Sequence, residues 1–168
     1  MTSYLRPTAL SDALSALAEG GRTIVAGGTD FYPARVGRPL DEKILDVTAI
    51  DGLRAIENKG DHYLIGATAT WTDLIRADLP DWFRAMKLAA REVGGVQIQN
   101  AGTIVGNVCN ASPAADGAPS LFALDASVRL ASISGERDLP IADFILGNRR
   151  TAAFGITSRY DDDIQRAV

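Results

Sequence analysis

The stretch "RTIVAGGTDF", Arg22 to Phe31, decides how this chain is read. Thr23, Ile24 and Val25 form the apolar, β-branched run of a buried strand, and Gly27-Gly28 end it in a turn without side chains. One reading is a strand closed by an ordinary glycine turn. The other is a backbone stripped of Cβ atoms so that a ligand can lie against its N–H groups. The spacing matches neither G-x-G-x-x-G nor the P-loop pattern, so it supports neither a Rossmann site nor a nucleoside-triphosphate cradle.

On the N-terminal side, Leu10, Ala13, Leu14 and Leu17 recur at helical spacing, with Thr8 or Ser11 as candidate N-cap and Gly20-Gly21 as the stop. On the C-terminal side, "EKILDVTAI" reads as a second strand, and the intervening "YPARVGRPLD" as a short helix or loop. A hairpin is expected around Asn58, Lys59 and Gly60. Two helices follow, one with Thr72 as candidate N-cap and one starting near Pro80, and a second hairpin turns at Ser134-Gly135. The pattern is α+β. A change of lobe is expected near residue 57, giving segments 1–57, 58–152 and a terminal piece 153–168.

A second bare stretch, "GGVQIQNAGTIVGNVCNASPAADGAPS", runs from Gly94 to Ser120 with five glycines, three asparagines and no basic side chain. It reads as poor core material and as a polar backbone wrapped around something, or as a long surface loop; unstructured loops of this length are uncommon unless functional or disordered. Two lysine-free glycine turns in one chain fit the two halves of a pyrophosphate, and a dinucleotide is the economical ligand.

Composition removes other classes. With 46% apolar residues in 168, the chain can bury roughly 70% of its unfolded surface. Seventeen basic against 21 acidic residues, scattered, give net charge -4 and no footprint for nucleic acid or an anionic membrane. No apolar run reaches membrane-spanning length and no signal peptide is visible, so a cytoplasmic location is expected. A single cysteine, Cys109, and a single histidine, His62, cannot build a disulfide framework, a zinc site or an iron–sulfur cluster, so no metal ligands are expected. His62 reads as solvated or structural.

"TIVAGGTDFYPARVGR", "QIQNAGTIVGNVCNASPAADGAPSLFALDASVRL" and "PIADFILGNRRT" in this order resemble the FAD-binding (medium) subunit of the molybdenum hydroxylases, the xanthine dehydrogenase and carbon monoxide dehydrogenase family, from Tyr4 to about Thr151. The resemblance implies a two-lobed FAD-binding fold of the vanillyl-alcohol-oxidase (PCMH) type with FAD between the lobes. It places Ile24, Val25, Ala26, Gly27, Gly28, Thr29, Asp30 and Phe31 along the cofactor, and Thr103, Ile104, Val105, Gly106 and Asn107 in a second cradle. Asp116 would add a polar contact, at the sugar or ring because a carboxylate repels phosphate. Cys109 would be a small packed residue beside the flavin. The implied function is that of an oxidoreductase subunit: it accepts electrons from an iron–sulfur subunit, beside a molybdenum-cofactor large subunit, and passes them to NAD+ or another acceptor. No catalytic side chain is assigned.

The chain departs from that pattern in two places. Val105 stands where the family has a second glycine, and a β-branched residue resists positive φ and shields a phosphate. "TAAFGITSRYDDDIQRAV" resembles a later family segment but follows Thr151 too soon, with Gly155 in place of a lysine, and the family's C-terminal domain is expected to be missing. These departures favour an alternative, a flavin-free structural or assembly subunit. A free-standing flavin reductase of the same fold would need a substrate acid and a substrate domain, and neither is visible.

Overall fold

The computed structural model describes residues 3–152 and the backbone of 166 and 167. The opening segment forms a small parallel sheet of β1 (Tyr4–Leu5), β2 (Arg22–Val25) and β3 (Lys43–Asp46) in the order β1-β3-β2. Tyr4 lies opposite Ile44, and Ile24 opposite Leu45. Between β1 and β2 runs α1 (Leu10–Ala18), which buries Ala13, Ala16 and Leu17 against Leu45, Val47 and Ile50. The helix starts two residues after Thr8 and one before Ser11, so neither is the N-cap. That position falls to Ala9, whose extended backbone caps without a side-chain bond.

The rest of the chain surrounds a larger apolar cluster that includes Trp71, Leu74, Phe83, Met86, Ile104, Val108, Leu130 and Phe144. The expected hairpin at 58–60 is β4 (Ile56–Asn58) with β5 (Tyr63–Ile65), its turn fastened by the Gly60 N–H donating to Asn58 Oδ1. Next comes α2 (Trp71–Arg76). Its N-cap is Thr70 rather than Thr72, because Thr70 and Asp73 form a reciprocal capping box. A 3-10 turn at Asp81–Phe83 then leads into α3 (Arg84–Glu92).

The stretch from Gly94 to Ser120 is not a long loop. It folds as α4 (Val96–Ala101), α5 (Ile104–Asn110) and the start of α6 (Gly117–Ala123). Composition misled because the glycines and asparagines sit largely at helix ends, while Ile104 and Val108, one turn apart on α5, and Leu121 on α6 supply the buried contacts. Cys109 is half-buried at the edge of the same cluster.

The hairpin of β6 (Ser127–Ser132) and β7 (Gly135–Pro140) follows, with β10 (Arg166–Ala167) antiparallel on the free edge of β6. After α7 (Ile141–Phe144), β8 (Ile145–Gly147) and β9 (Arg150–Thr151) form a short hairpin. Its turn is fixed to the end of α5: the Arg149 N–H donates to the Ala111 carbonyl at 2.8 Å and Nη1 to Asn110 Oδ1 at 2.9 Å. The expected terminal piece 153–168 lies, apart from β10, outside the described residues. Among the described residues no helix is long and apolar enough to cross a membrane.

Candidate functional site

The turn after β2 is built by its own backbone. Gly28 has φ 68°, a left-handed value that side chains resist, and the ring of Tyr32 covers it so closely that a Cβ there would fall 2.5 Å from Tyr32 Cε2. The chain then reverses, with the Tyr32 N–H donating to the Gly28 carbonyl and the Ala34 N–H to that of Asp30. Arg35 locks the reversal. Its guanidinium lies 3.7 Å over the Phe31 ring, donates to the Phe31 carbonyl and pairs with Glu42, whose carboxyl it holds below the usual range with help from Thr23. The N–H groups of Gly27, Gly28, Thr29, Asp30 and Phe31 find no protein acceptor among the described residues.

This turn packs directly on the second glycine segment. A Cβ added at Gly27 would overlap the Ala101 carbonyl oxygen and lie 2.9 Å from Gly102 Cα. Gly27 is therefore bare because two backbones touch there. Thr29 Oγ1 is next to Gly102, 3.3 Å from where a Cβ would be. The far side of this segment is clamped to the residues before α2: the Trp71 N–H donates to the Gly102 carbonyl, the Ile104 N–H donates to the Ala69 carbonyl, and Thr70 bridges Thr103. The helix α5 then starts from Thr103, whose hydroxyl accepts from the Gly106 N–H at 3.0 Å. The Val105 N–H has no protein acceptor among the described residues.

The remaining predicted residues divide clearly. Ile24 and Val25 belong to β2, with Val25 buried and Ile24 packed on the α1 cluster together with Ala26, so their side chains serve the core. Ile104 is buried as well. Val105 is half-buried on α5 in helical backbone and is absent from the positive-φ residues, so its β-branch meets no backbone strain there. Asn107 Oδ1 accepts from the Gly117 N–H at 3.2 Å, which ties α5 to the start of α6. That bond sets Asp116, exposed and without a capping bond, beside the same segment.

Where the two segments meet, the structure offers open backbone N–H groups and the hydroxyl of Thr29, with exposed Asp30 in the turn and exposed Asp116 just ahead of α6. Those N–H groups suit an oxygen-rich anion, and the residues fit a cofactor carrying a diphosphate. Among the described residues no group of three or more His, Cys, Asp or Glu could hold a metal. Sequence reasoning did not single out Gly102, Thr70 or Trp71. The Thr70-x-x-Asp73 capping-box spacing was the available signal for Thr70; nothing in the sequence announced the other two.

A family model described as the FAD binding domain in molybdopterin dehydrogenase matches residues 1–158. The glyceraldehyde dehydrogenase medium chain of Sulfolobus acidocaldarius is 34% identical over 148 residues, covering 86% of this chain and 53% of that protein. The xanthine dehydrogenase FAD-binding subunit of Escherichia coli O157:H7 is 34% identical over 149 residues, covering 86% and 51%. A chain of the carbon monoxide dehydrogenase from Hydrogenophaga pseudoflava superposes with a TM-score of 0.81 at 28% identity, covering 89% of this chain and 54% of that one. The chain thus spans about half the length of these relatives.

Proposed function

The chain belongs to the FAD-binding domain family of the molybdopterin dehydrogenases, and from that premise we propose that it is the FAD-binding subunit of a molybdenum hydroxylase complex. In this reading it takes electrons from an iron–sulfur subunit, beside a molybdenum-cofactor large subunit, and passes them to NAD+ or another acceptor. The observation that carries the reading is the docking of the Gly27 turn on Gly102, which puts the open N–H groups of residues 27–31 next to the segment that begins α5.

The N–H groups of Gly27, Gly28, Thr29 and Val105 hold the diphosphate, with the Thr29 hydroxyl as a further donor. Asp30 and Phe31 continue the wall of the site. Asp116 accepts a hydrogen bond from a hydroxyl or ring N–H, since its charge excludes it from phosphate. Ile24, Val25 and Ala26 fix the strand from which the turn departs, Thr103 and Gly106 fix the start of α5, and Ile104 and Asn107 anchor that helix. Bound FAD would supply the redox chemistry, accepting electrons singly and giving them up in pairs. The protein's part is to bind and orient the cofactor.

The test is the visible absorption spectrum of the protein copurified with its partner subunits, followed by denaturation and identification of the released flavin. A yellow complex that releases FAD in stoichiometric amount is expected. A colourless chain that still assembles with larger subunits would replace this reading with that of a structural or assembly subunit.

A further inference from the structure

The indole of Trp71 touches both halves of the candidate site. At its five-membered edge, Cδ1 would lie 3.4 Å from a Cβ on Gly102, the glycine against which the Gly27 turn docks. At its far edge, Cη2 and Cζ2 would lie 2.7 Å and 3.5 Å from a Cβ on Gly117, the residue after Asp116. The side chain is 2% exposed and its own backbone N–H holds the Gly102 carbonyl at 3.2 Å, so the ring has little freedom to move. A rigid ring of fixed length thus spans from Gly102, on which the amide turn docks, to Gly117, the residue after Asp116, and it fits only because residue 117 has no Cβ.

We infer that Trp71 and Gly117 act as a positioning pair, setting the separation between the backbone amides of residues 27–29 and the carboxylate of Asp116, and thereby the grip on both parts of FAD. This inference rests on the FAD-binding reading above. A closely packed core transmits the length of such a ring because it cannot yield by a methyl group without displacing a neighbour. A Cβ at Gly117 would meet Trp71 Cη2 at 2.7 Å and Asn107 Oδ1 at 3.1 Å, so unless the buried ring gives way the start of α6, with Asp116 just before it, must move.

The experiment is a double-mutant cycle on the full chain, with Gly117→Ala, Trp71→Phe and the pair, read by titration with FAD, titration with inorganic pyrophosphate, and thermal melting without ligand. Gly117→Ala is expected to weaken FAD binding on the order of tenfold, while pyrophosphate, which engages only the amide turn, changes by less than about twofold. Because phenylalanine lacks the outer part of the indole, the double variant is expected to recover FAD affinity to within about threefold of the parent chain, through a coupling of the size adjacent residues show. Loss of melting temperature with unchanged FAD affinity, or equal losses for FAD and pyrophosphate, or no recovery in the pair, would overturn the positioning role and leave the FAD-binding reading intact. Failure of the parent chain to bind FAD would bring down both.

Discussion

At Gly27 a single hydrogen atom decides whether the two glycine segments can meet. Gly27→Ala pushes a methyl group into the Ala101 carbonyl and is expected to destabilise the chain by about 1–3 kcal/mol, as overpacking does, and to weaken FAD binding in the same protein. Thermal melting and flavin titration check both; an alanine variant with parental stability and affinity would contradict the close approach. Val105 is the opposite case. Its helical backbone removes the conformational objection read from the sequence and leaves only the shielding of its own N–H. Val105→Gly is therefore expected to bind FAD more tightly while losing up to about 1 kcal/mol of stability, the usual effect of glycine inside a helix, and parallel titration and melting would separate the two effects. The resemblance picked out these residues, but their division of labour was hidden. Nothing in the string "GGTD" tells that the first glycine faces a backbone and the second faces Tyr32.

Among the elements, α2 depends on its first turn. The Asp73 carboxylate accepts from the Thr70 N–H and hydroxyl, and its own N–H returns to Thr70 Oγ1, while exposed Arg54 pairs with it from outside. Burial raises the Asp73 pKa, but the bonds from Arg54 and Thr70 outweigh it and leave the carboxyl below its ordinary value. A depressed folded pKa contributes stability that is fully present above the unfolded value of about 3.9 and is lost as pH falls through the lower, folded value. Asp73→Asn is expected to flatten the acid limb of the stability curve, and Thr70→Ala to lose about 1 kcal/mol at neutral pH; denaturant melts across the acid range measure both. Arg54→Ala should matter less, since a guanidinium so exposed is screened by water. The β4–β5 and β6–β7 hairpins were legible because Asn58-Lys59-Gly60 and Ser134-Gly135 punctuate alternating runs, whereas the two-residue β1 and the short β8–β9 hairpin carry no such pattern. The helices α4 to α6 were not, because Ile104, Val108 and Leu121 are too sparse to outweigh the surrounding glycine and asparagine in a compositional reading. Only tertiary burial reveals them.

For the whole molecule, a ligand that binds the folded chain alone adds stability by mass action. FAD at about 100 times its dissociation constant is expected to add about 2.7 kcal/mol, raising the midpoint of melting by roughly 5–11 °C for a chain of this size. Calorimetry with and without FAD checks this, and an unmoved midpoint would mean that the folded chain does not take up the cofactor. The α+β class was readable from three helical and several extended patterns along the chain, and the two-lobed family fold from three motifs in order. The meeting of residues 27 and 101 was not readable, since no local pattern encodes a contact across so much chain. The bolt between Arg149 and the end of α5 has its own consequence. With seven residues at about 1.5 Å each, that helix is a strut roughly 10 Å long; its far end carries the Thr103 cap, one residue from the Gly102 on which the Gly27 turn docks. Whatever pulls on the polypeptide at Thr151 therefore reaches this strut through the Arg149 bolt and bears, at its opposite arm, on the Thr103 cap.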